Sequence, residues 1–176
     1  YQLARRLEKI TPEKNLLARL GGDEFGIFMP QVSHLKDAVT LSMEILEQFQ
    51  NYFILDNYEH FLTPTIGINL GNCGYENSED IVRDANIALY HAKTNQKQYC
   101  IFNQEMLEAR QLKFKLDQKL RQAIAKEELS LVYQPIVDLQ SGEVTGFETL
   151  IRWDNSTQGK ISPAHFIPIA EETGFI

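Results

Sequence analysis

Apolar and polar positions follow two periods along this chain, and the switches between them mark its elements. Leu3, Leu7 and Ile10 recur at helical spacing, so residues 1–10 read as the end of a helix stopped by Thr11-Pro12. Leu16-Leu20 and Phe25-Met29 are short apolar runs around Gly-Gly-Asp-Glu, which predicts a β-hairpin closed off by Pro30. Leu35, Ala38, Val39, Met43, Leu46 and Phe49 return to helical intervals and predict an amphipathic helix over 35–53. Phe61-Leu70 reads as β, with Thr65, Ile66 and Ile68 suited to a half-buried pleated surface, and Gly71-Gly74 as a turn.

Ser78 is the expected N-cap of a helix running to about Thr94, with Glu79 and Asp80 in its first turn. A short strand follows at Tyr99-Phe102. These elements predict an α+β or α/β domain ending near residue 103. Leu107, Leu112, Leu116, Leu120, Ala123 and Ile124 then form one stripe of a long helix over 104–127, free of Gly and Pro and therefore a stiff connector. Leu129-Leu139 and Val144-Trp153 read as two strands around a Ser141-Gly142 turn, and Ser162-Pro163 opens a last helix. Tyr1 opens directly into an uncapped helical pattern and Phe175-Ile176 stops just after another, so both ends read as cuts through a longer protein.

Composition narrows the function classes. With 43% hydrophobic and 23% charged residues the chain is of a soluble globular kind. A net charge of −7 argues against a phosphate-neutralising surface for nucleic acid. No apolar run is long enough to span a bilayer and no basic-then-apolar leader is present, so a cytoplasmic location is expected. Cys73 and Cys100 have neither metal-ligand nor disulfide-framework spacing and read as reduced fillers. His34, His60, His91 and His165 are scattered, which gives a histidine metal cluster little support.

The first candidate site is Gly21-Gly22-Asp23-Glu24-Phe25. Paired glycines on a hairpin reach backbone conformations closed to other residues and let a ligand approach the main chain. Asp23 and Glu24 follow at once; strand alternation would send them to opposite faces, leaving one to point into a given site. A hard oxygen ligand beside such a turn suits Mg²⁺ on a nucleotide triphosphate. A plain acidic turn with two solvated carboxylates is the competing reading, and the five residues alone leave the two level.

The surroundings decide between them. Ala18-Arg19-Leu20, Phe25-Gly26-Ile27-Phe28, Thr65-Ile66-Gly67-Ile68 and the segment Arg83-Asp84-Ala85-Asn86-Ile87-Ala88-Leu89-Tyr90-His91-Ala92-Lys93 resemble, in order, the GGDEF family of diguanylate cyclases, over about residues 1–103. The resemblance implies that Gly21 and Gly22 contact GTP. It implies that Asp23 holds Mg²⁺ (or Mn²⁺) and assists attack by a ribose 3′-oxygen, that Glu24 is the next acidic catalytic position, and that Lys93 and Lys97 bind phosphate. Ammonium groups at i and i+4 would share a helix face; without the resemblance, two lysines at a helix end are simply favourable there.

The chain departs from the family at several positions. Lys97 replaces the usual arginine, Gln96 a common glycine and Asn86 a common aspartate. The family's inhibitory Arg-x-x-Asp would fall on Pro12 and Asn15, so product inhibition there is not expected. A second metal-binding aspartate would precede Tyr1, so the chain by itself is expected to be inactive as a cyclase.

The second candidate lies on the two later strands. A charge within a strand is costly to bury unless paired or metal-bound, and Glu148 sits in one. Period two puts Glu148, Leu150 and Arg152 on one face, with Phe147, Thr149 and Ile151 on the other. A Glu148–Arg152 surface pair is the competing reading. Tyr133-Gln134-Pro135-Ile136-Val137-Asp138, Gly146-Phe147-Glu148-Thr149-Leu150-Ile151-Arg152-Trp153 and the segment from Ile161-Ser162-Pro163 to Ala170-Glu171 resemble the start of EAL phosphodiesterases, over about residues 115–176. That resemblance implies a TIM-like barrel of which only the first strands are present. It makes Glu148 a catalytic metal ligand and Gln134, Leu150 and Arg152 contacts to cyclic di-GMP.

The expected organisation is therefore a GGDEF domain over 1–103 with a central sheet and surrounding helices, a connecting helix over 104–127, and the opening of an EAL domain over 128–176. The parent is expected to make cyclic di-GMP from two GTP across a homodimer, to hydrolyse it, or both. The alternative is a non-catalytic receptor for GTP or cyclic di-GMP.

Overall fold

The computed structural model describes residues 1–32, 34–71 and 74–176. Cys73 and the middle of the 71–74 turn lie outside the described residues. The chain divides into two compact units, Tyr1–Leu107 and Glu108–Ile176. Helix and strand are mixed throughout, and the sheets are small and open, with two or three strands each.

In the first unit, α1 (Gln2–Ile10) ends where Thr11 Oγ1 donates to the Leu7 carbonyl at 2.8 Å. The hairpin forms as β1 (Leu16–Gly21) and β2 (Glu24–Phe28). Helix α2 spans Leu35–Gln48, opened by the His34 N–H donating to Asp37 Oδ2 at 3.2 Å. It is shorter than its apolar rhythm suggests. Arg6 caps the turn after it, donating to the carbonyls of Gln48 (3.0 Å), Asn51 (2.7 Å) and Tyr52 (2.9 Å) and stacking 3.7 Å from the Phe53 ring centre.

Phe53, the last residue of the expected helix, instead begins a hairpin that the apolar pattern does not mark: β3 (Phe53–Leu55) and β4 (Tyr58–His60), joined by Asp56 and Asn57 at φ 50° and 65°. Positive φ at both central residues is the type I′ signature. Of the β expected over 61–70, only β5 (Ile66–Ile68) forms. It pairs in parallel with β6 (Tyr99–Ile101), and α3 (Ser78–Thr94) makes the crossover. The N-cap of α3 is Asn77, with Ser78 already helical. Leu7, Leu41, Ile45, Phe49 and Phe53 form the core, with Leu17, Phe25, Ile27 and Ile66 against it, so residues from all three strand pairs rest on one apolar cluster.

The helix α4 (Gln104–Ala123) stops short of residue 127. Its end is a Schellman turn: Glu127 takes φ 55° and the Glu128 N–H donates to the Ala123 carbonyl at 2.9 Å. In the second unit, β7 (Leu129–Val137), β8 (Val144–Asn155) and β9 (Gly159–Ile161) form an antiparallel sheet, and α5 (Pro163–Glu172) follows with Ser162 as N-cap. The sequence reading had not separated β9 from its surroundings. Leu120, Ala123, Trp153, Phe166 and Ala170 make the core, where Trp153 meets Phe166 edge-on at 5.3 Å between ring centres.

Candidate functional site

The β7–β8 ladder sets the first arrangement. Leu129 lies opposite Trp153 and Leu131 opposite Ile151, and this side packs on α4 and α5 through Trp153, Ile151 and Leu129. The other side carries Ser130 opposite Arg152, Val132 opposite Leu150 and Gln134 opposite Glu148. Gln134, Glu148, Leu150 and Arg152 therefore share one face, as directly facing pairs and i, i+2 neighbours a few ångströms apart. Gln134, Glu148 and Arg152 are exposed there.

Arg152 turns its Nη1 to the Ile151 carbonyl at 2.9 Å, and none of the ion pairs among the described residues joins it to Glu148. The Glu148 carboxylate is thus left available on an open surface. Thr149 points to the opposite side, facing Tyr133.

A buried carboxylate that the sequence reading missed steadies this sheet. Glu128 is 7% exposed and accepts from Trp153 Nε1 (3.0 Å), Asn155 Nδ2 (2.8 Å) and the Ser156 N–H (3.0 Å). The bond from Trp153, then those from Ser156 and Asn155, hold its pKa down to about 2 from 4.5. Asn155 Oδ1 in turn accepts from the backbone of Thr157 and Gln158, so one acid organises the β8–β9 turn.

The glycine hairpin gives the second arrangement. Gly21 pairs with Glu24 across a two-residue turn of Gly22 and Asp23, with a register shift between Arg19 and Gly21. Gly22 has φ 51°, and nothing lies within 4 Å of where a Cβ would stand on Gly21 or Gly22. The space over the turn is open on this side. Asp23 sits in the turn itself, so the pleat does not assign it a face; it and Glu24 are both exposed. Arg19 donates Nε (3.1 Å) and Nη2 (2.6 Å) to the Gly22 carbonyl.

Lys93 and Lys97 are exposed at the far end of α3, but not on a shared helical face. The helix stops at Thr94, Gln96 takes φ 53°, and the Lys97 N–H donates to the Ala92 carbonyl at 2.9 Å. This Schellman turn carries Lys97 off the helix, and the i, i+4 expectation is corrected accordingly. No ion pair among the described residues joins either lysine to Asp23 or Glu24. Gln96 occupies the left-handed position, which explains why glycine suits that place.

Two features hold α3 in position. Gly67 lets it lie directly on β5: a Cβ there would stand 2.1 Å from the Ala85 carbonyl oxygen and 2.5 Å from the Leu89 nitrogen. Asp84, 2% exposed, accepts from the Tyr75 hydroxyl (2.7 Å) and Arg83 Nε (2.8 Å), while Asn69 Nδ2 donates to the Tyr75 hydroxyl and the Ile81 carbonyl, each at 3.0 Å.

The described residues contain no group of three or more His, Cys, Asp or Glu side chains arranged to hold a metal ion. Asp23 with Glu24, or Glu148 with the neutral Gln134, supply too few hard oxygens for a Mg²⁺ or Mn²⁺ shell. These residues amount to part of a donor set.

A parallel strand–helix–strand unit beside an open glycine hairpin, followed by a strand pair bearing an exposed Glu and Gln face to face, matches two family models in sequence. The first is "Diguanylate cyclase, GGDEF domain" over residues 1–99, and the second is "EAL domain" over residues 117–176. The chain belongs to the GGDEF family, and its later residues match the EAL domain.

Among curated proteins it is 32% identical over 176 residues to the bifunctional diguanylate cyclase/cyclic di-GMP phosphodiesterase MucR of Pseudomonas aeruginosa, covering 99% of this chain and 26% of that one. It is 30% identical over 177 residues to the cyclic di-GMP phosphodiesterase NbdA of the same organism, covering 99% and 22%. The chain thus spans about a quarter of the length of these relatives. Among solved structures, the GGDEF domain of Pseudomonas aeruginosa TpbB (YfiN) superposes with TM-score 0.58 at 27% identity, covering 62% of this chain and 65% of that one.

Proposed function

We propose that the full protein turns over cyclic di-GMP: the β7–β8 face binds and cleaves it, and the glycine hairpin takes part in making it from GTP. The observation that carries this reading is the pairing of Gln134 with Glu148, with Leu150 and Arg152 on the same open face. That face offers an amide to hydrogen-bond a guanine edge, an apolar side chain to lie against the base, a guanidinium for phosphate and a carboxylate for a divalent ion. The names of the relatives, a bifunctional cyclase/phosphodiesterase and a phosphodiesterase, support it.

At the hairpin, Gly21 and Gly22 leave room for a triphosphate, Asp23 and Glu24 offer carboxylates, and Lys93 and Lys97 offer charge. GGDEF and EAL enzymes generally use divalent ions, which neutralise phosphate charge when bound. Residues 1–103 belong to the GGDEF domain, 104–127 to the connecting segment and 128–176 to the EAL domain. Synthesis joins two GTP across a homodimer. No described helix is long and apolar enough to cross a membrane.

The test is made on the full-length protein with Glu148→Ala and Asp23→Ala. Loss of cyclic di-GMP hydrolysis in the first and of GTP turnover in the second is the expected result. Binding of either nucleotide without turnover in the wild type would make the protein a receptor instead.

A further inference from the structure

We infer that Arg19 is a positioning residue that latches the Gly22–Asp23 peptide in one of its two orientations, and so sets how the hairpin meets a nucleotide. This rests on the nucleotide reading of the hairpin. Gly21 and Glu24 are the last ladder pair, so the Gly22–Asp23 peptide is the central unit of a two-residue turn. In such a turn the ladder fixes both ends and leaves the central peptide plane free to rotate. Positive φ at the first central residue alone is the II′ arrangement, and Gly22 has it at 51° while Asp23 does not. Rotating that one peptide by about half a turn gives I′, which asks for positive φ at both central positions. Aspartate is among the few residues that tolerate this, so the sequence does not choose by itself.

Arg19 makes the choice. Its side chain reaches from β1 to bind the Gly22 carbonyl through Nε at 3.1 Å and Nη2 at 2.6 Å. Both bonds land on one oxygen of the rotatable peptide. The peptide is trans, so fixing its carbonyl toward Arg19 turns the Asp23 N–H to the opposite side. That N–H lies outside both strands and has no hydrogen-bond partner among the described residues. It becomes an oriented donor beside two open glycines and two carboxylates. Flipping the peptide would present a carbonyl oxygen there, which repels phosphate. A lysine keeps the charge of Arg19 but lacks the fork that reaches the carbonyl with two N–H groups.

The experiment compares wild type, Arg19→Lys and Arg19→Ala in the full-length protein by two readouts. One is affinity for GTP with Mg²⁺. The other is amide hydrogen exchange of the peptide covering 16–28 without nucleotide. Loss of the latch is expected to weaken GTP by about tenfold in both variants and to speed nucleotide-free exchange at the turn, with the melting temperature unchanged. Wild-type affinity in Arg19→Lys would show that only charge matters and would overturn the inference. So would weakened binding with unchanged exchange, which would make Arg19 a direct phosphate contact. Wild-type protein that binds no guanine nucleotide would remove the nucleotide reading itself, and the inference with it.

Discussion

Gln134 stands directly opposite Glu148 in the β7–β8 ladder, on the side of the sheet turned away from Trp153 and Ile151. Facing residues on an antiparallel pair act on the same bound group, so their effects on a ligand should not add. In the full-length protein, Gln134→Ala and Glu148→Ala are each expected to weaken cyclic di-GMP binding. The double variant should depart from additivity by about 0.5–3 kcal/mol. Titration calorimetry over the four proteins reads the coupling. Strict additivity would mean that the two side chains serve separate sites.

Gly67 is where sequence dictates packing most tightly. A methyl group there meets backbone atoms of α3, which cannot swing aside as a side chain would. Gly67→Ala should destabilise the first unit by about 1–3 kcal/mol, visible as a lower urea midpoint. Gly71→Ala, where a Cβ would meet nothing within 4 Å, serves as the matched control.

What could be read from sequence was local, and what escaped was set by distant partners. The hairpin around Gly21-Gly22 and the strand holding Gln134 carry their own turn and alternation signals, and both formed where expected. The β3–β4 hairpin was legible in principle, since Phe53 to His60 holds two short runs around Asp56-Asn57. The helical rhythm through Phe49 takes in Phe53, however, and three-residue strands are too short to show a clear alternation. Glu127 and Glu128 look alike in sequence. Only the second is buried, because its partners Trp153 and Asn155 arrive 25 and 27 residues later. Lys97 left the helix because Gln96 adopted a left-handed backbone that its side chain does not advertise.

That left-handed Gln96 gives a stabilising substitution. A non-glycine residue at such a position costs about 1–2 kcal/mol, and glycine returns about 0.5–1 of it as unfolded-state freedom. Gln96→Gly should therefore gain about 0.5–1 kcal/mol in denaturant unfolding. Lys93 and Lys97 keep their placement, so an accompanying change in GTP affinity would show that Gln96 also touches the nucleotide.

Arg6 concentrates three backbone carbonyls and one aromatic face on a single guanidinium. A lysine cannot reproduce that geometry, since a point charge on a flexible stem lacks both fork and plane. Arg6→Lys should cost about 1–3 kcal/mol and loosen the turn between α2 and β3. Faster hydrogen exchange over residues 48–55, against an unchanged β7–β8 sheet, is the expected signature.

Glu128 makes the second unit sensitive to acid. The Trp153, Ser156 and Asn155 donors bind its ionised form and hold its folded pKa near 2, below the ordinary 4.5. A depressed carboxylate contributes stability above its unfolded pKa and loses it as pH falls toward the folded value. The wild-type midpoint should therefore fall from about pH 5 to about pH 2 through this group. Glu128→Gln has no proton to bind there. The variant should be less stable at neutral pH, because an amide accepts these bonds more weakly than a carboxylate. The gap between the two proteins should narrow as acid is added. A gap that stays constant down to about pH 2 would mean that the acid limb belongs to other carboxylates, such as Asp138, whose pKa is lowered by the Ser141 and Gln140 N–H groups.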